Sequence, residues 1–113
     1  MVATFKVEGI DGDVERFQVW VTNPQTINDL LDMEQGVGAG RFPGGAIHEG
    51  TGKANHNAPY SWHLDPDDIH LADVAFEVCD GRPSFVEDNL DVYLSLGRYC
   101  PWAAKLESVV DHR

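Results

Sequence analysis

From Val14 to Val21 the chain alternates, with Phe17, Val19 and Val21 on one face of an extended strand and Gln18, Trp20 and Thr22 opposite. The period then changes abruptly. Asn23-Pro24 is a helix start, because an asparagine oxygen accepts bonds from the first free N–H groups and proline fits the first helical position. Ile27, Leu30 and Leu31 follow at helical spacing, and Gly36 is a suitable stop. A one-faced strand that runs straight into a one-striped helix must fold in layers, each covering the other. Upstream, Thr4 to Glu8 reads as a partner strand, joined through Asp11-Gly12, a dipeptide suited to positive φ.

Gly36 to Gly45 is glycine-rich and reads as a flexible connection. A phosphate-binding role does not fit its context, since the stretch follows a helix rather than a strand and no Lys-Ser/Thr comes after it. Ala46 to Gly50 is a short predicted strand, and residues 51–59 form a polar loop. Tyr60 to Leu64 and Ile69 to Cys79 are predicted strands on either side of the turn Asp65-Pro66-Asp67-Asp68, together a hairpin-like unit. Pro83 and the pattern Ser84-x-x-Glu87 predict a capped helix start. Val86, Leu90, Tyr93 and Leu94 continue that helix to Gly97, and a last strand runs from Ala103 to Val110. The expectation is one α+β domain over residues 1–113: a single antiparallel or mixed sheet covered by two helices, in the order β-β-α-β-β-β-α-β.

Nineteen acidic residues against eight basic ones give a formal charge of -11. Such a chain repels phosphate backbones and anionic lipid headgroups, so neither nucleic acid nor membrane is an expected partner. Cations, basic peptides and basic protein surfaces remain as partners that this charge would suit. Met1 leads almost directly into a strand, so the expected location is cytoplasmic unless a signal has been removed. Cys79 and Cys100 allow either one bridge, worth about 3 kcal/mol in the chain-entropy model, or two buried thiols. The residues alone leave both open.

Four of the five histidines, His48, His56, His63 and His70, fall in the middle third with Asn55, Asn57, Asp65, Glu77 and Asp80. Alternation places Ser61, His63 and Asp65 on one face of their strand, and Asp73, Glu77 and Cys79 on one face of the next. Pairing the two strands would set His63 beside Glu77. Read as chemistry, that is an acid/base pair or a divalent-metal site of His63, Glu77 and Asp80. Read as architecture, it is a hydrogen-bonded pair that fixes register, which the lack of a His-Glu-x-x-His pattern favours. Asp11-Gly-Asp13 and Asp65-Pro-Asp67-Asp68 lack the spacing of a calcium loop and read as turns.

The succession Tyr60-Ser-Trp-His-Leu-Asp-Pro66, Phe76-Glu-Val-Cys-Asp-Gly81, Val86-Glu87 and Cys100-Pro-Trp102 resembles a family of small bacterial proteins labelled calmodulin-binding. These are similar to the N-terminal domain of a slime-mould calmodulin-binding protein. The likeness runs from about Phe17 to Val110. It implies that Asn57, Trp62, His63, Pro66, Glu77, Cys79, Asp80, Cys100, Pro101 and Trp102 are featured positions. It also implies export, and with it the Cys79–Cys100 bridge. Calmodulin targets present a basic amphipathic helix, whereas Asn23 to Gln35 carries Asp29, Asp32 and Glu34 and no lysine or arginine.

No catalytic constellation emerges from these residues. The leading expectation is therefore a non-catalytic binding domain that meets a protein, peptide or small ligand through Asn55, His56, Asn57, Trp62, His63 and Trp102. The alternative is a metal-dependent hydrolase using His63 and Glu77, in which the metal lowers the pKa of a bound water.

Overall fold

A computed structural model describes residues 1–8, 12–37, 41–72 and 79–110. The alternating N-terminal segments form β1 (Val2–Glu8) and β2 (Val14–Trp20), paired antiparallel from Val2 opposite Trp20 to Glu8 opposite Val14. The other side of β1 pairs antiparallel with the last strand of the chain, β7 (Ala104–Val110), giving the order β2-β1-β7. Ala3, Phe5, Val7, Phe17 and Val19 are buried on the inner face.

α1 (Pro24–Glu34) begins as its sequence requires. Asn23 Oδ1 accepts from the Gln25 and Thr26 amides at 2.9 and 3.4 Å. Ile27, Leu30 and Met33 are buried, and Leu31 packs partly buried against the core.

The second half of the glycine-rich stretch departs from expectation. It enters β3 (Phe42–Glu49) rather than forming a flexible connection. Glycine is needed there for close approach: a Cβ at Gly45 would stand 2.6 Å from the Asp68 carbonyl oxygen, and one at Gly44 would stand 3.3 Å from Cys100 Cβ. β3 is the spine of a second antiparallel sheet and pairs with β4 (Trp62–Leu64), β5 (His70–Ala72) and β6 (Arg98–Tyr99). The hairpin expected between Tyr60–Leu64 and Ile69–Cys79 is not formed among the described residues, and residues 73–78 of its second strand lie outside them. Among the described residues, β4 and β5 each pair with β3 instead. The turn between them still serves the ladder, because Asp68 Oδ2 accepts from the Ala46 amide at 3.0 Å while the Asp65 amide donates to the Ala46 carbonyl at 2.9 Å.

The predicted second helix is two helices, α2 (Pro83–Asp88) and α3 (Leu90–Leu96), separated at Asn89. The expected capping box does not form. The Ser84 amide and hydroxyl both donate to the Glu15 carboxylate, at 2.7 and 2.9 Å, and Glu87 accepts from the Ser61 amide. The architecture is α+β as expected; among the described residues there are two antiparallel sheets in place of one and three short α-helices in place of two. Among the described residues no helix is long and apolar enough to cross a membrane.

Aromatic side chains join the sheets. Trp62 of β4, fully buried, lies 5.8 Å from Phe17 of β2 and 5.1 Å from Tyr99 of β6, measured between ring centroids. Beside them Cys79 and Cys100 form a disulfide with a Cα–Cα distance of 5.2 Å, and the Cys100 amide donates to the Cys79 carbonyl at 2.8 Å. Of the two states left open by the residues, the bridge is the one present. We expect a Cys79→Ser/Cys100→Ser double variant to lose about 3 kcal/mol of stability in urea unfolding. An unchanged midpoint would show that the bridge contributes nothing to folding.

Candidate functional site

The polar loop at residues 50–60 is fastened by one buried carboxamide. Asn57, 1% exposed, accepts from the Gln18 amide at 2.9 Å through Oδ1 and donates to the Trp62 carbonyl at 2.8 Å through Nδ2. The loop thereby bridges β2 of the first sheet and β4 of the second. Its turn at Lys53–Asn55 holds Ala54 and Asn55 at φ of 53° and 55°, a left-handed conformation that costs a residue with a side chain about 1–3 kcal/mol. Thr51 Oγ1 donates to Asn55 Oδ1 at 2.6 Å and helps hold that turn. Lys53 Nζ stands 4.7 Å above the centre of the Trp20 ring, within cation–π range.

This fastening leaves a groove between the loop and the outer face of the first sheet. Its volume is about 500 Å³; Val2, Thr4, Gln18, Trp20 and Val110 form the floor, and Ala54, Asn55 and His56 the wall. The register explains the floor: Val2 lies opposite both Trp20 and Val110, and Thr4 lies opposite Gln18, so their side chains share a face. Gln18 Nε2 donates to Thr4 Oγ1 at 3.2 Å across that floor.

His56 of the wall is backed by two further imidazoles. His48 and His63 are opposite one another on β3 and β4, with ring centroids 5.8 Å apart, and the His63 ring is 5.9 Å from that of His56. His63 Nδ1 bonds to the Gly50 carbonyl and His56 Nδ1 to the Lys53 carbonyl, each at 2.9 Å. A carbonyl can only accept, so both Nδ1 atoms donate and, in the neutral rings, both Nε2 atoms keep a lone pair. His56 Nε2 is buried without a hydrogen-bond partner among the described residues. Burial, with the charge of His63 as a lesser cause, pushes the His56 pKa below its ordinary value against the opposing bond to Lys53. His48 Nε2 lies 3.2 Å from Asp65 Oδ2, and the Asp67 amide together with His48 holds the Asp65 carboxyl below the usual range.

The residues expected at the site therefore divide. Asn55 and His56 line the groove. Asn57 and Trp62 are buried beneath it and act as its support. His63 stands half-buried behind His56. Trp102, 42% exposed, lies away from the groove's lining, with its amide donating to Asp80 Oδ1 at 2.8 Å. The expected neighbour of His63, Glu77, lies outside the described residues; within them the residue across from His63 is His48. Among the described residues no group of three or more His, Cys, Asp or Glu side chains is placed to hold a metal ion. Of the groove floor, Trp20 alone carries a signal in the sequence. It is a large aromatic that could line a groove but reads more readily as core, and it lies on the face of β2 opposite the buried Phe17 and Val19.

The depressed His56 pKa carries a consequence for stability. The unfolded chain takes up this proton first, so the contribution is complete above the ordinary value of 6.5 and is lost as pH falls below it. Lowering the pH from about 7.5 to about 5.5 should therefore reduce the urea midpoint more in the native chain than in His56→Gln. Equal losses in the two would mean that His56 does not set this acid limb.

The family profile described as the BP-74 N-terminal domain matches residues 1–113. No curated protein and no solved structure matches the chain. With the profile matched from the first residue to the last, the chain belongs to the BP-74 N-terminal domain family.

Proposed function

We propose that this domain is a non-catalytic binding module that receives a protein, peptide or small ligand in the groove between Trp20 and the turn at Lys53–Asn55. The observation that carries the reading is the groove itself, an open cleft of about 500 Å³ in which the apolar surface of Val2, Trp20 and Val110 lies beside the polar groups of Thr4, Gln18, Asn55 and His56. That composition is common to ligand sites, where apolar area supplies affinity and a few polar groups fix orientation. Two left-handed residues at the rim, Ala54 and Asn55, add to it, because such strain concentrates at binding and catalytic sites. The surface first expected from Asn55 to His63 with Trp102 is narrowed on this reading to its Asn55–His56 edge and extended onto the sheet. The Cys79–Cys100 bridge suits an oxidising compartment, which favours export.

Selection of a random peptide library on the immobilised full chain tests the reading. Recovered binders should lose about tenfold or more in affinity, roughly 1.4 kcal/mol, for Gln18→Trp, which fills the groove floor. Binders that hold Gln18→Trp as tightly as the native chain would move the site elsewhere.

A further inference from the structure

The His56 ring is clamped by the turn it belongs to. Its Nδ1–H donates to the Lys53 carbonyl at 2.9 Å, and its Nε2 is buried with no hydrogen-bond partner among the described residues. The Gly52 backbone closes on the ring so tightly that a Cβ there would overlap His56 Cε1 and stand 3.0 Å from His63 Cβ. Turning Nε2 out to water would break the bond to Lys53. The charged and titratable groups on the surrounding elements do little for this ring. Lys53 of its own turn stands over Trp20, whose ring centroid is 6.1 Å from that of His56, and His63 of β4 lies at 5.9 Å. On β3, His48 lies beyond His63 and is bonded to the Asp65 carboxylate, while Glu49 is on the opposite face, across from Trp62. On the first sheet the row beyond Thr4 and Gln18 is Arg16, Lys6 and Lys105, with Glu107 and Glu8 paired to Arg16 and Lys6. Among the described residues no acidic side chain pairs with His56.

We propose that residues 51–57 form an acid-released latch, in which neutral His56 keeps the loop closed on the first sheet and protonation of His56 lets it open. An imidazolium donates from both nitrogens. In the closed loop Nδ1 has its acceptor, and the second N–H would be shut in without one. A buried charge with no partner costs more than the few neutral hydrogen bonds of a loop return. Burial opposes the proton there, the bond to the Lys53 carbonyl favours it, and His63 adds to the opposition. Opening delivers the charge to water and frees Ala54 and Asn55 from their left-handed conformation. The step is local, because the bonds it gives up lie outside the strand ladders. The Asn57 amide donates to the Thr51 carbonyl at 3.0 Å, and the Asn57 side chain holds the Gln18 amide and the Trp62 carbonyl. Asn55 and His56 are the groove wall, so acid takes that wall away, whether or not the groove is the binding site.

The test is amide hydrogen exchange of the full chain followed by NMR, corrected for the intrinsic rate at each pH. The Gln18 and Asn57 amides report the loop, while those of Phe17 and Val19 point into the β1–β2 ladder and report unfolding. From about pH 7.5 to about pH 5.5, protection of Gln18 and Asn57 should fall about fivefold, within the roughly tenfold that one proton of ordinary histidine pKa supplies. Their exchange should not respond to sub-denaturing urea, because a local opening exposes little surface, whereas that of Phe17 and Val19 should. His56→Gln should abolish the pH dependence and His48→Gln should keep it. Should His56→Gln fail to fold, the native chain decides: protection must fall along the titration of the His56 ring and not along that of His48 or His63. Protection that is the same at both pH values would overturn the latch. So would a pH dependence that survives His56→Gln, or Gln18 and Asn57 amides that respond to urea as strongly as Phe17 and Val19.

Discussion

Trp62 lies at the junction on which the rest of the structure depends. Its ring is fully buried between Phe17 of the first sheet and Tyr99 of the second. Aromatic pairs of this geometry contribute about 0.5–1.5 kcal/mol each beyond the apolar area they bury. Tyr99 stays neutral because burial pushes its phenol far above the ordinary value, and its hydroxyl donates to the Gly81 carbonyl at 2.6 Å. The Tyr93 hydroxyl donates to the neighbouring Asp80 carbonyl at the same distance. The aromatic junction therefore also positions the approach to α2. The Trp62 backbone serves the groove in turn, since its carbonyl is one of the two anchors for Asn57.

The parts of the fold legible in the sequence are those set by local rules. β1, β2 and α1 follow from a two-residue period, a capping asparagine and a proline at the first helical turn. The second sheet was not legible in the same way, because its determinants are distant in sequence. Gly44 and Gly45 are buried by Cys100 and Asp68, neither of which a local reading can bring to them. The spacing of Val86, Leu90, Tyr93 and Leu94 passes through Asn89 without a sign of the break. There the side chain donates to the Phe85 carbonyl at 2.9 Å, a local bond that competes with helix continuity. Ser84 matched a capping pattern, and a carboxylate from β2 took its bonds instead.

The candidate site shows the same division. The loop from Asn55 to His63 is rich in amide and imidazole groups, but polarity alone does not say which groups face out. Asn57 is polar because two backbone groups must be satisfied inside the protein, and Trp62 is aromatic because two sheets meet there. The groove floor is made largely of valine, threonine and glutamine, residue types that attract no notice until pairing places them in adjacent rows. The row of Arg16, Lys6 and Lys105 across the first sheet has the same origin. Lys6, Arg16 and Lys105 are scattered in the sequence and adjacent only through register.

The order β2-β1-β7 leaves β2 at the margin of its sheet. Marginal strands offer free amides to any passing strand, and proteins that leave them open grow sideways into aggregates. In this domain the Gln18 amide is already bound by the Asn57 side chain. Glu15, on the same strand, is tied to Arg82 and Ser84 at the start of α2. The contact that fastens the loop over the groove thus also occupies, midway along β2, an amide that a passing strand would need.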